Sequence, residues 1–219
     1  MYDLTSVLAF DALSEVRPGS SILISGPAMS GKERLAYDIL ADGMRDDDGG
    51  VVVTTGDGAG NVVEEFRSLV PDIDESQFGV IDCRGDGSND VDTVGDAYIH
   101  HVSSPGDLTG IGIGITKALE GLHNAGNERG RLALVSLSTM LTYTDKKTVF
   151  KFCHVLSSRL DSAGYIGMFT IDSGAHDDQT LQVIKQAFDG MIDVRDAEGG
   201  GREARVLGLA GEPTDWQTI

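Results

Sequence analysis

The chain has 219 residues, 40% of them hydrophobic and 24% charged, which suits one globular domain over 1–219 and excludes a disordered chain. Its 35 acidic residues stand against 17 basic ones, for a net charge of -18. With no cluster of Lys and Arg, nucleic acid is not an expected partner. No apolar run is long enough to span a membrane, and the first residues lack the basic region of a signal peptide, so a cytoplasmic location is expected. Such acidity repels itself at low salt and is tolerable where the Debye length falls to about 3 Å, so the expected setting is the cytosol of an extreme halophile.

Strand and helix signals alternate along the chain. Ser21-Ile22-Leu23-Ile24-Ser25 is a short apolar strand, followed by a helix over about 31–44. Asp46-Asp47-Asp48-Gly49-Gly50 has the composition of a solvated turn. The β-branched run 51–55 is a second strand, and Val62, Phe66 and Leu69 mark one face of a helix over 61–70. Residues 78–82 form a third strand. Leu108, Ile111, Ile115, Leu119 and Leu122 predict a helix over 107–125, although the Gly–Ile repeat of 110–115 also has the period of a strand. A fourth strand (132–136), a helix (145–163), a fifth strand (165–171) and a helix (178–188) follow. Two strands, 191–195 and 204–209, close the chain as a hairpin around Glu198-Gly199-Gly200-Gly201. Strands apolar on both faces, alternating with helices, predict an α/β fold with a mostly parallel central sheet and helices on both faces. Ligands bind such sheets at the carboxyl ends of the strands.

One of those ends carries a motif. Between the first strand and its helix lies Gly26-Pro27-Ala28-Met29-Ser30-Gly31-Lys32, a glycine-spaced turn ending in lysine. Backbone N–H groups at a helix start, with a lysine charge beside them, are what a phosphate-binding loop requires. The pattern departs from G-x-x-x-x-G-K-[ST] at its last position, where Glu33 replaces the hydroxyl that ligates Mg²⁺. That carboxylate could hold the metal itself, pair with Lys32, or crowd a phosphate.

From here the chain resembles the KaiC-like branch of the RecA superfamily of P-loop ATPases, as found in archaea, over nearly its whole length. The resemblance rests on Phe10-Asp11-Ala12-Leu13, on 18–27 leading into the loop, on Arg131-Leu132-Ala133-Leu134-Val135-Ser136-Leu137-Ser138, and on the 165–195 block. It implies a RecA-like P-loop fold, ATP or ADP at Gly26–Glu33, and self-association or a protein partner. It also exposes losses. Val135 stands where the family has a metal-holding aspartate. Of the paired glutamates that end the second strand only Asp57 is near. The family's trans-acting Lys-x-Arg aligns with uncharged Gly208-Leu209-Ala210. Phosphoryl transfer depends on such groups, so hydrolysis is expected to be weak or absent.

The expected function is therefore a nucleotide-binding regulatory or scaffold protein, with Asp57 as the one remaining candidate catalytic residue. The alternatives are a slow Mg²⁺-dependent ATPase, using Glu33 or Asp57, and a nucleotide-free interaction module. Cys83 and Cys153 read as buried free thiols. His100-His101 with Asp96 is a poor metal site, because adjacent side chains seldom converge on one ion. Cys153–His154 is not expected to be a catalytic pair, and Ser25, Ser136 and Ser138 have no histidine at a suggestive spacing. Trp216 is expected to pin the C-terminus to the body. The 110–114 glycines suit either a close-packed helix face or an oligomer contact.

Overall fold

A computed structural model describes residues 1–85, 91–209 and 212–219. In chain order its elements are β1 (Ser21–Gly26), α1 (Lys32–Arg45), β2 (Gly49–Thr54), α2 (Ala59–Leu69), β3 (Phe78–Asp82), β4 (Val91–Val94), β5 (Ala97–His101), α3 (Leu108–Asn124), β6 (Gly130–Val135), α4 (Leu137–Tyr143), α5 (Lys146–Ala163), β7 (Ile166–Asp172), α6 (Asp178–Lys185), β8 (Gly190–Asp196), β9 (Arg202–Leu207) and β10 (Gln217–Thr218), with single 3-10 turns at Asp11–Leu13 and Glu75–Gln77.

All the strands among the described residues join one sheet, ordered β10-β9-β8-β1-β7-β6-β2-β3-β5-β4. The block from β8 to β5 is parallel. The edges turn antiparallel, with β4 on one side and the hairpin partner β9, then β10, on the other. The strands of the parallel block are covered on both faces, which is why they carry continuous apolar runs. Ile22, Leu23, Val52, Val80, Leu134 and Phe169 are each at most 1% exposed. Each such side chain contributes about 1.5–3 kcal/mol by leaving water.

Two apolar layers flank the sheet. One holds α1, α2 and the N-terminal segment, through Leu4, Leu8, Phe10, Ala36, Ile39 and Phe66. The other holds α3, α4 and α5, through Ile111, Ile115, Met140, Val149 and Leu156. Helix starts are fixed by side chains that accept the first free amides. Asp107 takes the Gly110 N–H at 2.8 Å, Asp145 those of Lys147 and Thr148, and Asp177 that of Thr180. α1 and α2 differ: their N-caps are Gly31 and Gly58, with no side-chain cap, though Asp82 accepts the Ala59 amide of α2.

Of the acidic run 46–50, Asp46 and Asp47 form an exposed turn, but Asp48, Gly49 and Gly50 are buried. Gly49 and Gly50 open β2, and the parallel register sets them beside Gly130 and Arg131 of β6. Asp48 is 2% exposed and accepts from Arg129 Nε at 2.7 Å and Arg131 Nε at 2.9 Å. Arg131 also donates to the Ile39 carbonyl at 2.7 Å. Composition suggested water for all three aspartates; strand pairing brought arginines to the third. The Gly–Ile repeat of 110–115 is helical. Gly110 and Gly114 give close packing, since a Cβ on Gly114 would lie 2.4 Å from the His100 ring. Both cysteines are buried and free. Burial pushes the Cys153 thiol up to about 12. Trp216 does pin the tail, with the Arg195 and Arg205 guanidinium groups 4.0 and 4.6 Å from its ring centre. Among the described residues, no helix is long and apolar enough to cross a membrane.

Candidate functional site

The turn from Gly26 to Glu33 leaves the carboxyl end of β1, between β7 and β8, and enters α1 directly. Its backbone is unusual at two points. Gly31 has φ of 79°, and Met29, which is not glycine, has φ of 62°. A left-handed non-glycine residue costs on the order of 1–3 kcal/mol and persists only where surroundings fix it. Left-handed residues within a turn aim successive N–H groups to one side. Below them, the amides of Lys32, Glu33 and Arg34 open the helix and have no intrahelical acceptor. Gly26 is required for another reason: a Cβ there would sit 2.6 Å from Ser30 Oγ and 2.9 Å from the Val194 carbonyl.

Side chains follow the same plan. Lys32 is 2% exposed. Its Nζ donates to the Pro27 carbonyl at 3.0 Å and pairs with Glu33 Oε1 at 3.0 Å. Of the three roles open to Glu33, pairing with Lys32 is the one its geometry adopts. Ser30 is 1% exposed, and its hydroxyl has no hydrogen-bond partner among the described residues. Pro27, Ala28 and Met29 form the open lip, with Met29 94% exposed.

Around the lip, β7 ends in Asp172, in register with Gly26, and β8 carries Asp193, in register with Ser25. Asp172 accepts the Gly174 amide at 2.9 Å and Asp193 pairs with Arg205 at 2.9 Å. Val135 ends β6, and its carbonyl accepts from the Thr55 amide at 2.8 Å and the Thr55 hydroxyl at 3.1 Å. Its side chain has no donor atom, and the Val135–Ser136 peptide is cis. Asp57 follows β2 in an exposed turn that Thr54 Oγ1 closes, donating to the Asp57 carbonyl at 2.9 Å. Burial pushes the Tyr37 hydroxyl up, and the charges of Glu65, Asp57 and Glu33 add to the shift. No group of three His, Cys, Asp or Glu among the described residues is arranged to hold a metal ion. With Val135 mute and Glu33 tied to Lys32, the two positions expected to hold Mg²⁺ offer it no free ligand.

Three features escaped sequence reasoning. His176 Nε2 lies 2.8 Å from Ser138 Oγ, which also accepts the Asp172 amide at 2.8 Å. The two residues are 38 apart in sequence, so no local spacing reveals them. This joins α4 to the end of β7 beside the turn, where the Ser173 amide donates to the Gly26 carbonyl at 2.9 Å. No carboxylate hydrogen-bonds His176 among the described residues, so a triad is not formed. Second, Arg202 of β9 lies on Gly31: a Cβ there would meet its Nη1 at 1.7 Å. An arginine of this same chain thus stands at the turn, although Gly208 and Leu209 carry no charge, and Ala210 lies outside the described residues. Third, Asp82 is 3% exposed at the end of β3 and accepts from the Ala59 amide at 3.0 Å and Arg84 Nη2 at 3.0 Å.

The remaining candidates stand apart. His100 is buried on β5, stacked on Tyr98, with Nδ1 unpartnered among the described residues. His101, its neighbour, approaches Asp82 at 3.9 Å instead. His154 stacks on Phe150 at the surface of α5, while Cys153 faces the core.

Fold and site together define an α/β protein with a mostly parallel sheet and a glycine-lysine turn at the carboxyl end of a central strand. The chain belongs to a family of unknown function, DUF7504, which it matches over residues 19–194. No curated protein matches it.

Proposed function

We propose that this chain is a RecA-like, KaiC-like P-loop domain that binds ATP or ADP through Gly26–Glu33 with little or no hydrolysis, and so serves as a regulatory or scaffold protein. The observation that carries the reading is Lys32. A lysine 2% exposed, inside a turn between a central strand and an uncapped helix, is a buried charge kept where an anion would arrive. The buried Ser30 hydroxyl and the free amides of the first helical turn add donors at the same place. Val135 and the Lys32–Glu33 pair argue against fixed metal, and therefore against efficient phosphoryl transfer.

The test is titration calorimetry with ATP and ADP in molar KCl, with and without Mg²⁺, on wild type and Lys32→Ala. The reading expects binding that Lys32→Ala abolishes, little dependence on Mg²⁺, and negligible phosphate release. Robust turnover lost in Lys32→Ala would establish the slow Mg²⁺-dependent ATPase instead. No binding at millimolar nucleotide would leave a nucleotide-free interaction module.

A further inference from the structure

We propose that the groove between α3 and α5 is a docking site for an acidic amphipathic helix of a partner protein. The two helices lie side by side on one face of the sheet and leave between them an open trough of about 670 Å³. Leu108, Phe152 and Leu156 contribute to its apolar floor. Ile113 and Val155 stand on its walls at 48% and 44% exposure, among the few large hydrophobic side chains this chain exposes. A contiguous apolar trough of this kind marks an interaction site more often than scattered exposed residues do.

Gly112 is the second observation. Its neighbours Gly110 and Gly114 are needed for packing, because a Cβ on either would collide with residues of the same domain. A Cβ on Gly112 would meet nothing within 4 Å. A glycine in a helix interior costs about 1 kcal/mol against alanine, and no packing contact among the described residues offsets that cost, as is also true of Gly121 further along α3. Gly112 leaves a notch in the α3 wall of the trough.

Charge selects the occupant. Lys117, Lys151 and Arg159 rim the trough, against the single carboxylate of Glu120. None of the three cations has an ion-pair partner among the described residues; for Arg159 this sets it apart, since most other arginines are paired, while Lys117 and Lys151 share it with Lys146, Lys147 and Lys185. Arg159 is held in position, reaching from α5 to donate to the Gly112 carbonyl at 3.2 Å and to the Thr116 hydroxyl. A trough between two helices accepts the ridge of a third, with apolar anchors at i, i+3 or i+4, and i+7. Carboxylates flanking those anchors would meet the three cations, while basic ones would be repelled. In high salt the apolar anchors supply affinity and the charges supply register.

The probe is a synthetic helical peptide of about five turns, about 18 residues, with leucine anchors and glutamate flanks, and a twin with lysine flanks. Fluorescence anisotropy against the full chain, at low and molar KCl, reads the affinity. At low KCl the acidic peptide is expected to bind about tenfold or more tighter than its twin, and at molar KCl, where exposed charges are screened, that preference should narrow. Gly112→Leu fills the notch without touching the sheet, so it should melt no lower than wild type and yet weaken the acidic peptide about tenfold. The double change Lys117→Glu, Lys151→Glu should reverse the preference between the peptides. Equal binding of both peptides at low KCl, no binding of either, or binding indifferent to Gly112→Leu would overturn the proposal. A dimer in sedimentation experiments that Gly112→Leu dissolves would also overturn it, by showing that a second copy of this chain fills the trough.

Discussion

Glu33 sets the terms on which Lys32 can act. Their contact at 3.0 Å joins a buried ammonium to a carboxylate whose side chain is 38% exposed. An arriving phosphate has to compete with that carboxylate for the same cation. Glu33→Gln is therefore expected to tighten ATP and ADP binding about fivefold, consistent with about 1 kcal/mol for an exposed charge contact. Weaker binding of Mg²⁺-ATP by Glu33→Gln, with metal-free ATP unaffected, would show that Glu33 serves the metal. Arg202 belongs to the same argument. It rests on Gly31 and, like Lys32, presents a cation to the turn. Arg202→Ala should weaken nucleotide binding about threefold to tenfold, as the loss of one hydrogen-bonding partner would, while leaving the melting temperature unchanged. If Lys32→Ala abolishes binding and Arg202→Ala changes nothing, Arg202 is packing alone. Gly31 cannot be replaced without penalty, because its φ of 79° is a left-handed backbone that a side chain strains, and any side chain there would also displace the Arg202 guanidinium.

Between elements, the start of β2 and the start of β6 are locked by Asp48, Arg129 and Arg131. Removing one member of a buried ion pair leaves its partner uncompensated, which costs about 3–5 kcal/mol. Arg131→Leu should lower unfolding stability in urea by that order, and Asp48→Asn combined with Arg131→Met should recover a large part of it. The β3–β5 pair supplies a pH response. Burial, followed by the Lys117 charge, holds the His100 imidazole below its ordinary value of 6.5. Burial alone would raise Asp82, but the bonds from Arg84 and the Ala59 amide outweigh it and hold this carboxyl below 3.8. Both contributions are present above the ordinary values and are lost as pH falls towards the lowered ones. Stability should thus decline in two stages on acidification, the first below about pH 6.5. His100→Gln should remove that first stage in melting curves recorded across the range. The parallel strands and long helices were legible in the sequence because their apolar periodicity extends over whole elements. β4 and β5 were not, since short strands such as Asp92-Thr93 and Tyr98 with His100-His101 carry polar residues that resemble loop. α4, of 7 residues, is too short to show a period. The turn at 26–33 was readable because strand, glycine spacing and lysine are contiguous. Arg202 and His176 were not, because only folding brings them beside it.

For the molecule as a whole, the net charge of -18 sits on a domain whose core is ordinary in size and composition. We propose that its native setting is molar salt. Like-charge repulsion weakens as the Debye length shrinks from about 10 Å at 0.1 M to about 3 Å at 1 M. Thermal melts should therefore rise steeply from low salt to molar KCl, and a flat response would refute that setting. The Asp48 cluster should contribute little to this dependence, because buried pairs are poorly screened. The cluster and the turn also occupy opposite rims of one sheet: the first lies where β2 and β6 begin, the second where β1 ends. This separation lets the two rims drift independently over evolutionary time. A lineage can alter the residues at one rim, such as those at positions 33 and 135, while the ion cluster at the other goes on holding the strands in register. Residues of the turn can then change without costing the fold.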